Sequence, residues 1–195
     1  MRLIQSFILL FLLLYPNNLN AQAIKVGPIK AQRGEVISGF LEIKEGVDEG
    51  ANIPISIING VSDGPVLALI AGTHGYEYPP ITALQNIRQK LSPKSLSGSI
   101  IIVHVANIPS FLKRTIYYNP VDGKNLNRVY PGNKDGTLSE RIAYTITNQV
   151  IKKADYLVDM HGGDGNEALM PYIYMPDTNN EAINKAVKGM AEAFG

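Results

Sequence analysis

The sequence contains no cysteine. That removes disulfides, thiolate nucleophiles, sulfur-ligated zinc and a lipidated cysteine anchor, so any metal ligand must be His, Asp or Glu. An excess of one charge is lacking too, since 18 Lys and Arg stand against 17 Asp and Glu for a net +1. No broad field then favours nucleic acid or an anionic membrane surface, and a charged ligand must be held by local groups. Histidine is scarce, with three in the chain. The G-x-S-x-G elbow of serine hydrolases is absent. The longest run of large apolar side chains is FILLFLLL, Phe7 to Leu14. That run falls short of the roughly 20 residues a membrane span needs. With Arg2 before it and Ala21-Gln22-Ala23 after it, the segment reads as a secretory signal peptide, residues 1–23. The expected location is periplasmic or secreted, with no membrane anchor after cleavage.

What remains is globular in composition. At 195 residues, 45% hydrophobic and 18% charged, the chain can bury a core, and one main domain over 24–195 is the default. No internal repeat or low-complexity segment interrupts it.

Short alternating stretches such as EVISGFLEI and IPISIIN, broken by Gly and Pro, predict a small N-terminal β segment. PVLALIAG, from Pro65 to Gly72, is apolar throughout, as in a strand buried on both faces of a parallel sheet. Ile81, Leu84, Ile87 and Leu91 then recur at helical spacing, with Pro79 and Pro80 suited to a first helical turn. SIIIVHVAN predicts another strand. Thr137 and Glu140 form a capping box opening a helix through about Lys153, and DYLVDMHGG follows as a strand. ALMPYIYM is expected to add one more strand, and Asn180 to Phe194 a helix with Ile183, Val187 and Met190 on one side. Alternating strands and helices give the fold class: α/β, with a mixed, largely parallel sheet and flanking helices.

In such sheets ligands bind beyond the carboxyl ends of the strands. His74 follows one predicted strand, His161 another, and Glu77 lies three residues after His74. Two His and one Glu with an open position are the ligands of catalytic zinc in thermolysin and carboxypeptidase A. A zinc ion so held would lower the pKa of its bound water and polarise a carbonyl. A lone H-x-x-E is more often a solvated helix pair; here Gly72 and Gly75 flank His74 and permit a tight turn into a crevice. Asp159, on the same strand face as His161, could accept the second ring N–H or could cap the strand end. The loop NPVDGKNLNRVYPG, Asn119 to Gly132, is a turn by composition. Within it Arg128 beside Asn127 offers a bidentate donor for a small carboxylate. His104, inside a predicted strand, reads as a core or sheet-edge residue. Tyr76, Tyr78, Tyr117, Tyr118 and Tyr130 flank the motifs, where either packing or a pocket would account for them.

Three ordered motifs, GTHGYE, DGKNLNRVYPG and DMHGGD, together with NGVSDGPVLALIAGTHG, make most of the chain after residue 23 resemble the succinylglutamate desuccinylase/aspartoacylase family, within the zinc carboxypeptidase-like fold. The resemblance implies Zn2+ held by His74, Glu77 and His161, a substrate carboxylate bound by Asn127 and Arg128, and hydrolysis of the amide of an N-acyl amino acid. The family usually has Asp where Asn125 stands. An Arg commonly found before the DG turn is displaced, with Arg114 the nearest substitute. The family's general acid/base Glu lies well beyond the third ligand, so it is expected beyond Gly195, with the C-terminal part of the domain missing; Glu167 is a poor candidate. The leading expectation is a zinc-dependent deacylase of N-acyl amino acids or small acylated amines. A carboxypeptidase-like enzyme acting on peptides or cell-wall fragments and a non-catalytic zinc-containing binding protein are the alternatives.

Overall fold

Apolar runs become strands here where both faces can be covered, and helices form where only one stripe is apolar. A computed structural model describes residues 23–194, so the expected signal peptide, but for Ala23, lies outside the described residues. Two short strands, β1 (Ile24–Val26) and β2 (Ile29–Ala31), form an antiparallel hairpin. Five more build the main sheet: β3 (Val36–Ile43), β4 (Ala51–Asn59), β5 (Ser62–Ala71), β6 (Ser97–Val103) and β7 (Tyr156–Met160). Their order is β3-β4-β6-β5-β7. The β3–β4 and β4–β6 pairings are antiparallel, whereas β5 runs parallel to both β6 and β7. The sheet is therefore mixed, with its parallel part in the half that carries the histidines.

Helix α1 (Tyr78–Lys90) covers one face through Ile81 and Leu84, packed on Ile58, Leu69, Ala71, Ile100 and Ile102. Helix α3 (Leu138–Gln149) covers the other through Leu138, Ile142 and Ile146. The β1–β2 hairpin joins it there, with Ile53, Ile55, Ile57, Ile101 and Val103 beneath. Neighbours in sequence, such as Ile101 and Ile102, thus go to opposite layers, and this two-sided burial explains runs that show no polar alternation. Each buried Ile or Leu side chain contributes roughly 1.5–3 kcal/mol relative to exposure. Between them, α2 (Ile108–Lys113) starts at Asn107, whose side chain accepts the Ser110 N–H.

The capping box expected at Thr137 is present, with the Thr137 N–H donating to Glu140 Oε2 at 2.8 Å. The helix stops at Gln149 and tightens into a 3-10 turn, Ile151–Lys153, before β7. The strand expected at ALMPYIYM is absent. Residues 168–175 are exposed and carry no regular structure. Pro171 lacks a ladder donor, and among the described residues no strand pairs with the outer side of β7. The last helix, α4 (Glu181–Glu192), is capped by Asn180, whose Oδ1 accepts the Ala182 and Ile183 N–H groups. Its Ile183 remains exposed, and so do Tyr156 and Leu157 on β7. Among the described residues no helix is long and apolar enough to cross a membrane.

Candidate metal centre

The sheet register brings the site together. Ala71, the last residue of β5, lies opposite Met160, the last residue of β7. The segments that leave these two ends start side by side, and His74 and His161 follow within three residues and one residue. Gly72 reverses the chain with φ of +69°, a conformation costly for other residues. A Cβ on Gly75 would fall 2.1 Å from the Phe111 backbone nitrogen, so the turn passes against the start of α2 only because no side chain is there. These two glycines turn the His74 side chain inward. Glu77 is the residue just before α1 and follows it. Both are buried, at 7% and 5% exposure.

His74 Nδ1 lies 2.8 Å from Glu77 Oε1, and His161 Nδ1 lies 2.9 Å from Glu77 Oε2. The Gly162 N–H also donates to Oε2, at 3.1 Å. On the far side of each ring stands an acceptor: Asn125 Oδ1 is 3.1 Å from His74 Nε2, and Asp159 Oδ2 is 3.1 Å from His161 Nε2. Asn125 Oδ1 also takes the Asn127 N–H at 2.9 Å, which fixes the amide with its oxygen toward the ring. Asp159 is held in turn by the Thr73 hydroxyl, which donates to its Oδ1 at 3.2 Å.

This pattern assigns the ring nitrogens. Both Nε2 atoms face acceptors and therefore donate, leaving the Nδ1 lone pairs to point at a carboxylate. A lone pair facing a carboxylate oxygen at hydrogen-bond distance needs a proton or a cation between them. One ligand atom from each of the three residues lies within 4.8 Å of the others. The donor set is that of a catalytic zinc site, and the outer partners are those that metal-bound imidazoles require. The residues fit a zinc ion.

Electrostatics describe the same group with protons in place of metal. Burial pushes the Glu77 carboxyl up, but the hydrogen bonds from His161 and His74, the charge of His161 and the Gly162 N–H outweigh it and bring it down to about 2. His161 is pushed up to about 10 by its hydrogen bonds to Asp159 and Glu77, against the opposing effect of burial.

The remaining expected site residues divide. Asp159 is the outer partner of His161 and not merely a strand-end cap. Asn125 enters as a new member, flagged in sequence only for replacing an Asp. A side-chain amide keeps the acceptor while removing one negative charge. The 3-10 turn Leu126–Arg128 starts from it, so the loop does reach the cluster. Asn127 is half-buried there, and the exposed Arg128 guanidinium meets the Asn127 carbonyl, at 3.2 Å, and no other acceptor among the described residues. Arg114 is an exposed, left-handed residue that ends α2, and among the described residues its side chain contacts none of the cluster. His104 is elsewhere, its Nε2 on the Ser56 hydroxyl at 2.8 Å, and burial, then Arg88, holds its pKa down. The tyrosines split as well. Tyr130 packs on the α3 side of the core, and Tyr76, Tyr78 and Phe111 form an edge-to-face series. Tyr117 stands edge-on to His74 at 5.1 Å between ring centroids.

With this geometry in hand, similarity to known proteins is informative. Residues 63–195 match the model of the succinylglutamate desuccinylase/aspartoacylase catalytic domain. The chain belongs to this family. Among curated relatives, the N-alpha-acetyl-L-2,4-diaminobutyric acid deacetylase of Halomonas elongata is 35% identical over 164 residues, 80% of this chain and 46% of that protein. The product-bound ectoine utilization protein of Ruegeria pomeroyi is 33% identical with a TM-score of 0.63, covering 70% of this chain and 42% of that one. An aspartoacylase family protein of Mesorhizobium loti is 35% identical with a TM-score of 0.61, over 65% and 40% of the two chains. This desuccinylase/aspartoacylase family chain therefore spans about half the length of the relatives it matches, and its sheet and helices have the zinc carboxypeptidase-like fold of those neighbours.

Proposed function

We propose that the protein carrying this chain hydrolyses the amide bond of N-acyl amino acids or related small acylated amines, using a zinc ion held by His74, Glu77 and His161. The observation that carries this reading is the pair of inward-facing imidazole nitrogens converging on one buried carboxylate. Zinc, when bound, would act as a Lewis acid toward the amide carbonyl and lower the pKa of water.

The chain's own residues do the preparatory work. Asn125 and Asp159 fix the tautomers of His74 and His161, and Thr73 fixes Asp159. Glu77 supplies a negative charge whose other hydrogen bond, from the Gly162 N–H, sets its orientation. Asn127 and Arg128, on the turn that Asn125 begins, take the carboxylate of the substrate, since among the described residues the exposed guanidinium keeps most of its donors free. Membership of a family of deacylases supports the reaction class, and the relative from Halomonas is named for acting on an N-acetylated amino acid. The positive start, short apolar run and Ala21-Gln22-Ala23 exit support export of the mature chain from Ile24.

The test uses the full-length protein. Elemental analysis should find one zinc per wild-type chain and none with His161→Ala, and wild type should release amino acids from N-acyl derivatives. Cleavage of peptides with no deacylation would reject this reaction in favour of a peptidase. Unchanged zinc in the His161 variant would remove the ligand assignment.

A further inference from the structure

Tyr117 stands at the candidate centre in a backbone conformation that a bulky side chain rarely adopts. Its φ is +62°, and the Tyr118 N–H donates to the Ile116 carbonyl at 2.7 Å, so Tyr117 is the middle residue of a γ-turn of the rare, strained hand. Glycine would fit there without strain. The Thr115 hydroxyl fixes the turn by donating to the Tyr118 carbonyl at 2.6 Å, and Tyr118 forms a β-bridge to Asn125. The turn is thereby joined to the loop that carries Asn127 and Arg128. Backbone strain of this kind persists where a side chain is needed in one place. What it places is a ring edge-on to His74, with its hydroxyl on Asp164 in the segment that follows His161. The phenol therefore reaches from the first candidate ligand to the chain beyond the third, and it is exposed while His74 and Glu77 are buried.

The hydroxyl proton is committed and the oxygen is not. A tyrosine has a single proton to donate and lone pairs with which to accept. The proton goes to the Asp164 carboxylate, and among the described residues no group donates to the oxygen in return. The neighbouring acceptors are occupied or closed. Asn125 Oδ1 takes His74 Nε2 and the Asn127 N–H, Asp159 takes His161 and the Thr73 hydroxyl, and Asp164 Oδ2 is sealed from solvent. Among the described side chains in contact with the candidate ligands, the acceptor still open is Tyr117 Oη.

We propose that Tyr117 Oη accepts the N–H of the amide that is cleaved, so that the enzyme selects secondary amides and discriminates against esters and tertiary amides of the same shape. This rests on the deacylase reading above and sharpens its substrate class. The nitrogen of an N-acyl amino acid is separated from its carboxylate by the alpha carbon alone. A carboxylate held at Asn127 and Arg128 therefore brings that nitrogen beside the turn that is bridged to their loop through Tyr118. An ester offers an oxygen where the N–H would be, and two acceptors then face each other with no proton between them. An N-acylproline has no N–H and meets the same penalty.

The full-length, zinc-loaded protein tests it with N-acetyl-L-alanine and its ester counterpart, O-acetyl-L-lactate. Esters are the more reactive class, so the measure is the amide-to-ester ratio of kcat/KM, which Tyr117→Phe should lower about tenfold. A ring that merely supports His74 would leave that ratio alone, because both substrates would slow alike. Calorimetry gives a readout apart from turnover. The methylphosphonamidate of L-alanine should bind wild type about tenfold more tightly than the methylphosphonate ester of L-lactate, and Tyr117→Phe should bring the two affinities together. An unchanged ratio in Tyr117→Phe, or equal affinity of wild type for the two phosphorus compounds, overturns the proposal. Should Tyr117→Phe fail to fold by circular dichroism, Tyr117→Gly, which suits the left-handed turn, takes its place and must lower the ratio likewise; no change there overturns the proposal as well. A Tyr117-dependent preference for the phosphonamidate with no turnover of either acetyl compound would instead sink the deacylase reading and leave the N–H contact standing.

Discussion

A single amide oxygen, that of Asn125, decides which nitrogen of His74 is left to bind a cation. It accepts from Nε2 at 3.1 Å and is itself pinned by the Asn127 N–H. Replacing Asn125 with Ala removes that acceptor and frees the ring to adopt the wrong tautomer. Zinc affinity should then fall about 10- to 100-fold, the usual cost of losing an outer partner, whereas Asn125→Asp should keep or raise it. Competition with a chromophoric chelator measures both. Sequence alone could not rank Asn125, because its role depends on a ring 51 positions away; His74 and Glu77 were legible because glycines surround the histidine at a strand end. A second consequence concerns protons. In the metal-free protein His161 titrates at about 10, so at pH 8 it carries a proton that a metal must displace. Zinc binding at pH 8 should release protons, read as a dependence of the calorimetric heat on buffer ionisation enthalpy. Heats that do not vary with buffer would contradict the assigned state of His161.

At the scale of elements, the β5–α1 junction is the least forgiving part of the chain. A methyl group on Gly75 would lie 2.1 Å from Phe111 N and 2.6 Å from Ser110 C, both backbone atoms that no rotamer change can move. Gly75→Ala should therefore cost roughly 1–3 kcal/mol, as overpacking does, and should weaken metal binding too because His74 is the adjacent residue. Urea denaturation with and without zinc separates the two effects, and a variant as stable as wild type would show the junction to be looser than described. The strands and helices around it were readable because runs such as PVLALIAG are bounded by Gly and Pro and because Pro79 and Pro80 mark a helix start. ALMPYIYM departs from the expectation: Pro171 lacks a ladder donor, and residues 168–175 do not pair with the free outer edge of β7, a tertiary outcome that local apolar pattern does not encode.

Across the molecule, a cation at the candidate centre would work as a clamp. Among the described residues strand β7, five residues long, pairs with β5 alone and exposes Tyr156 and Leu157, so it is less supported than β3, the eight-residue strand at the other edge. A cation shared by His74 and Glu77 from the β5 side and His161 from the β7 side would tie that strand down. At a free zinc concentration about 1,000 times Kd the linkage contributes about 4 kcal/mol, which for a chain of this size raises Tm by roughly 8–16 °C at about 2–4 °C per kcal/mol. Without metal the stabilisation comes from protons and depends on pH in two directions. The Glu77 contribution is complete above about 4.5 and lost as pH falls through about 2. The His161 contribution is complete below about 6.5 and lost as pH rises through about 10. The metal-free protein should thus draw most from this group between about pH 4.5 and 6.5, while zinc, which needs deprotonated imidazoles, should stabilise most above that window. Hydrogen exchange locates the effect: at pH 8, zinc should slow exchange of the Leu157 to Met160 amides far more than those of β3, which lies at the opposite edge of the sheet. Protection spread evenly over both edges would mean that the metal stabilises the fold without joining β5 to β7.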